Sequence, residues 1–167
     1  MDDEEKQKNF ELAEKLMSEQ NFTAAMIAGA IAMLLAAVAY GIVVEAWLYS
    51  YGFAAAGVGI VIGFFMGFLG RGISMKFSVA AAVYTIVGCI LGNLFVKIIN
   101  LAQATATSPI DVLQGNSLSE LGRWSVSGLS LIHLVFWFVA VVAAVFLAKR
   151  PLSRAQRLAI GLTELRG

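Results

Sequence analysis

An all-α integral membrane bundle of four transmembrane helices is the fold class this sequence predicts, and three observations predict it. Hydrophobic residues make up 59% of the 167 and charged residues only 14%, a balance outside what a water-covered domain carries. The charges are also bunched: between residues 21 and 70 only Glu45 is charged, and residues 77–96 hold no charge. Finally, there are four apolar windows near the roughly 20 residues that a helix rising about 1.5 Å per residue needs to cross a hydrocarbon core of about 30 Å.

Those windows are residues 22–44, 53–70, 77–96 and 129–147. Each is expected to be a helix, because lipid offers no partner for backbone N–H and C=O groups and the period-two alternation of a barrel strand is absent. The second window is the shortest and the richest in glycine. The first is expected to stay in the mature protein, since the charged segment before it is mostly acidic and no small-residue cleavage site follows. Cys89 is the only cysteine and lies inside the third window, so no intrachain disulfide is possible.

Charge asymmetry sets the expected orientation. Lys149, Arg150, Arg154, Arg157 and Arg166 follow the fourth window against Glu164, and the hairpin between the second and third windows carries Arg71 and Lys76. Only Lys97 and Arg123 are basic on the other side. Both chain ends are therefore expected in the cytoplasm. Three regions result: a cytoplasmic N-terminal helix over 1–21, a transmembrane domain over 22–148 with an extracytoplasmic connection at 97–128, and a basic cytoplasmic tail over 149–167.

In the first region Phe10, Leu12, Ala13, Leu16 and Met17 fall near one face at helical spacing. An amphipathic surface helix follows, solvated or resting on a partner protein. Its net acidity disfavours anionic lipid. In the connection, Ser108-Pro109-Ile110-Asp111 has a capping serine followed by proline at the first helical position. Ser117-Leu118-Ser119-Glu120 repeats the capping spacing, with Leu121 and Trp124 on the helix it would open. Trp124 fits an interfacial aromatic belt, as do Trp47, Tyr49 and Tyr51 beside Glu45.

The second window holds a row of small residues every four positions, Ala55, Gly59, Gly63 and Gly67. Small residues let helix backbones approach, and in lipid this packing supplies association where no hydrophobic drive exists. Matching small faces occur in the third window at Ala81, Thr85, Gly88 and Gly92, and in the first at Ala25, Gly29, Ala32 and Ala36. A glycine-zipper bundle with the second helix in the middle is expected, its bulkier Phe64, Phe65 and Phe68 facing lipid or a partner.

The run GVGIVIGFFMGFLGRGI followed by GCILGNL resembles a family of uncharacterised small bacterial inner-membrane proteins. Its hallmark is a glycine-rich helix, an Arg-Gly turn and a helix ending in Gly-Cys-x-Leu-Gly-Asn. The matching positions are Gly63, Gly67, Arg71, Gly72, Gly88, Cys89, Leu91, Gly92 and Asn93. The resemblance implies a bacterial inner-membrane location, and the family has no established activity to lend. Some members carry an N-terminal zinc ribbon, but this chain has no paired Cys or His there to receive that role.

Candidate chemistry is sparse. His133, the sole histidine, sits about one turn into the fourth window; a polar residue at that depth is a candidate haem ligand or proton carrier, or a group hydrogen-bonded to a neighbouring helix or a headgroup. Glu45 is a candidate cation contact, or a wetted interfacial carboxylate. Arg71, Lys76, Arg150 and Arg154 are candidate contacts for lipid phosphate or a partner's acidic segment. Asn93 and Asn100 are expected to hydrogen-bond between helices. Gly57, Gly59 and Gly63 miss the GxGxxG spacing by one residue, so no phosphate loop is expected.

The sequence therefore predicts no enzyme, metal or cofactor. The leading expectation is a non-catalytic accessory or scaffold subunit of an inner-membrane complex; the alternative is a small homo-oligomeric channel or transporter. Membrane lipids, other membrane subunits or further copies of the chain are the expected partners, and nucleic acid is not.

Overall fold

The structure is a computed structural model that describes residues 3–46 and 51–164. Trp47, Tyr49, the side chain of Tyr51 and Arg166 lie outside the described residues, as does most of the turn joining the first two windows. The described chain is all-helical: α1 Asp3–Ser18, α2 Phe22–Ala46, α3 Tyr51–Gly70, α4 Met75–Thr105, α5 Pro109–Gly115, α6 Leu118–Val126, α7 Leu131–Leu147 and α8 Arg154–Glu164.

Helix α2 shows what solvent the bundle is built for. Its buried face is Ala25, Ala28, Gly29, Ala32, Ala36 and Ala37, with Tyr40, Gly41 and Val44 towards the end. Its large aliphatics point outward: Ile27, Ile31, Leu34, Leu35 and Ile42 are each more than half exposed. In water this pattern would be inverted, because large side chains gain most from burial. In lipid there is no such gain, so small residues go inside where they let backbones close up.

Three helices, α2, α3 and α4, are long and apolar enough to cross a membrane. At 17 residues α7 rises about 25 Å; among the described residues the pair α6 and α7, bent by 90°, is the candidate for a fourth span. The corner is Gly128, whose φ of 73° is a conformation that costs residues with a Cβ roughly 1–2 kcal/mol.

Around the bundle the order is α2, α3, α7, α4, and α3 and α4 also touch each other across the middle. The second window is thus not the sole central helix; α3 and α4 share that position. Helices α2 and α4 run in one direction and α3 and α7 in the other, so parallel pairs face each other.

The third window does not stop at Val96. Helix α4 continues to Thr105, about 13 Å further, because Ile98 and Ala102 keep an apolar face that packs on Val112 of α5 and Leu121 of α6. The connection therefore has its own small core beyond the main one. Both of its helices begin where the capping serines predict: Ser108 and Ser117 each form a reciprocal box, with Asp111 and Glu120.

Candidate functional site

Polar side chains collect at the two ends of the bundle. At the end carrying α1 and α8, Glu19 lies in the link between α1 and α2. Its carboxylate accepts a hydrogen bond from Arg150 Nη1 at 2.8 Å, and Arg71 Nη1 lies 3.9 Å away. The hydrogen bond from Arg150 holds the Glu19 carboxyl below its usual range, and the charges of Arg150, Arg71 and Lys15 add to this against a partial desolvation.

The neighbouring residues stitch the backbone. Gln20 Oε1 accepts from the N–H groups of Ile73 (3.2 Å) and Ser74 (3.3 Å). Asn21 caps α2 by accepting the Ala24 N–H at 2.9 Å, and its own N–H donates to the Gly70 carbonyl at 2.9 Å. The Arg150 N–H donates to the Gly72 carbonyl at 2.8 Å. One short link thus ties the start of α2, the α3–α4 hairpin and the end of α7. Arg71 holds a left-handed φ of 47° as it ends α3, its N–H closing onto the Gly67 carbonyl at 3.1 Å.

Beyond the link, α1 and α8 pack on each other. Ala13, Leu16 and Ala159 are buried, while Phe10, Met17 and Leu158 are 47%, 49% and 65% exposed. The expected face of α1 is therefore divided: two of its five apolar residues, Phe10 and Met17, are exposed.

At the opposite end Asn93 Nδ2 donates to the Ser125 carbonyl at 2.8 Å in a buried position, and Lys97 Nζ donates to the Ser127 carbonyl and hydroxyl. Both satisfy carbonyls at the end of α6, and the Lys97 charge complements the negative end of that helix. Asn93 makes the interhelical bond expected of it; Asn100 is exposed. His133 turns back on its own helix start, its Nδ1 2.7 Å from the Ser130 hydroxyl and accepting the Ser130 N–H at 3.2 Å. Glu45 is half-buried in the last turn of α2.

No protein-family model matches the chain, and no match was found among curated proteins or solved structures. What the molecule does is therefore argued from its own residues.

The glycine row of α3 lies against α7, not against the small faces offered by the first and third windows. A Cβ built on Gly59 would overlap the Ala140 carbonyl oxygen, and one on Gly63 would sit 2.7 Å from the Ala144 carbonyl oxygen. On Gly67 it would overlap the Leu147 carbonyl oxygen. The facing row is Ala140, Ala144 and Ala148, all fully buried. That row has the same four-residue spacing and could have been read in the sequence. Gly88 and Gly92 serve a different contact, admitting Val58 of α3 and Tyr40 of α2 respectively.

The candidate residues thus fall into separate places. Arg71 and Arg150 converge on Glu19, Lys76 stands apart over the rings of Phe22 and Phe77 at 5.3 and 5.9 Å, and Arg154 is exposed at the start of α8. His133 and Glu45 belong to different helices. Among the described residues no three His, Cys, Asp or Glu side chains gather as a metal site. Sequence reasoning missed Glu19, Gln20 and Asn21; the signal available was Asn21, a preferred capping residue directly before an apolar run.

Proposed function

We propose that the chain is a non-catalytic accessory or scaffold subunit of a membrane complex, anchored by a four-crossing bundle with both ends in the cytoplasm of a bacterial inner membrane. The observation that carries this reading is the α1–α8 pair: two helices outside the apolar windows are fastened to the bundle through Glu19 and Arg150, and leave Phe10, Met17 and Leu158 uncovered. Aromatic and Met side chains on a rigid platform suit a protein partner.

The orientation is supported by Arg71, Lys76, Lys149, Arg150, Arg154 and Arg157, which lie at the α1–α8 end. At the other end Lys97 is engaged by Ser127. Within the bundle, the glycine row of α3 on the alanine row of α7 is the zipper that holds the platform's base in one geometry. The Arg71-Gly72 turn and the Gly88 to Asn93 helix segment, which carry the resemblance to small inner-membrane proteins, border the basic link and the α2–α4 contact.

Gentle-detergent purification from native membranes, followed by mass spectrometry, tests the proposal. A reproducible membrane partner is expected, and it should be lost from a Phe10→Ser, Met17→Ser double variant that still folds. Isolation of wild type as a bare monomer would overturn the reading. Solute flux through vesicles holding the chain alone would favour the self-assembled channel instead.

A further inference from the structure

Between α2 and α4 a groove of about 580 Å³ opens on the outer surface, lined by Phe22 and Met26 on one side and Val79, Ala80, Val83 and Tyr84 on the other. Among the described residues that line it, Lys76 is the only charged one. The α4 side repeats at helical spacing, so the groove follows the helix for about 12 Å from Lys76 to Tyr84. That fits within the half-thickness, about 15 Å, of a hydrocarbon core. Gly29 makes room for its floor, since a Cβ there would lie 2.8 Å from the Tyr84 ring.

Lys76 is placed unusually for a cation. It stands in the first turn of α4, where the helix dipole is positive and disfavours it. Among the described residues no carboxylate forms an ion pair with it; Glu19 pairs with Arg150 and Arg71. The faces of Phe22 and Phe77 hold the ammonium at the groove's mouth. A positive charge with no carboxylate partner, above an apolar channel of leaflet depth, suits an anionic headgroup carried on an acyl chain.

We propose that this groove is a binding site for an anionic glycerophospholipid, with the phosphate at Lys76 and one acyl chain along Val79, Val83 and Tyr84. The test is native mass spectrometry of the full chain released from nanodiscs containing equal parts of phosphatidylglycerol and phosphatidylcholine with matched acyl chains. Wild type is expected to retain phosphatidylglycerol preferentially. Lys76→Gln should reduce that preference about fivefold, the fold-change of one basic group at an anionic surface, and Lys76→Arg should keep it. Ala80→Phe, which fills the groove, should reduce retention of both lipids, and Arg154→Gln should change neither. Equal retention of the two lipids by wild type, an unchanged preference in Lys76→Gln, or an equal loss in Arg154→Gln would each overturn the proposal.

Discussion

Glu19 and Arg150 meet at 2.8 Å although 131 residues separate them in the chain, so the entry to the first apolar helix is clamped to the exit of the last. Glu19→Gln removes the ionic part of this clamp and is expected to lower the thermal midpoint in detergent at neutral pH. The folded-state pKa of Glu19 is depressed. Its stabilisation is therefore present above the unfolded carboxylate value and fades as pH falls through the folded one. The gap between wild type and Glu19→Gln should close on acidification below the usual glutamate range, and an identical gap at pH 7 and pH 3 would refute the assignment.

Gly63→Ala and Gly57→Ala should move stability in opposite directions. At Gly63 the new methyl meets backbone atoms of Ala144 at 2.7 and 2.8 Å, which cannot swing aside, so overpacking of about 1–3 kcal/mol is expected. At Gly57 nothing lies within 4 Å, and the better helix propensity of alanine should make the change neutral or stabilising by up to about 1 kcal/mol. Equilibrium unfolding in mixed micelles measures both; equal effects would mean that α3 does not lie on α7 as described.

Asn93→Ala leaves the buried Ser125 carbonyl without its donor. A loss of about 0.6 kcal/mol, and at most about 1.7 kcal/mol, is expected, the average and maximum for hydrogen bonds between membrane helices. Because the bond holds α6 to α4, limited proteolysis should accelerate in the 106–130 segment before it does elsewhere. Uniform acceleration along the chain would argue against this local role.

Gly128 and Ala106 form a matched pair of backbone tests. Both have positive φ, 73° and 52°. Gly128→Ala should destabilise the α6–α7 corner by roughly 1–2 kcal/mol, whereas Ala106→Gly should relieve strain at the end of α4 and stabilise by a few tenths to about 1 kcal/mol. Hydrogen exchange at residues 118–134 and 101–108 would resolve each effect, and a stabilising Gly128→Ala would contradict the corner geometry.

His133 illustrates how far local reading reaches. Its position near the start of an apolar window is plain in the sequence, and so is Ser130 three residues earlier, yet the expected partner was a neighbouring helix or a headgroup. The ring takes the Ser130 N–H at its own helix start, a backbone donor that has no partner within the helix. The capping serines at 108 and 117 were legible for the same reason: their partners lie three residues away.

What the sequence determined by itself is what depends on neighbours along the chain: apolar helices of spanning length, the helix starts, the basic and the less basic ends, and the rows of small residues. Tertiary structure decided which rows meet. Three windows were seen to offer small faces, and a fourth row at Ala140, Ala144 and Ala148 has the same spacing, so periodicity alone does not rank the pairings. The choice follows from which backbones can close without a side chain between them, and that depends on every helix at once. The extension of α4 to Thr105 and the clamp at Glu19 were settled the same way, by partners that folding brings from 10 to 131 residues away.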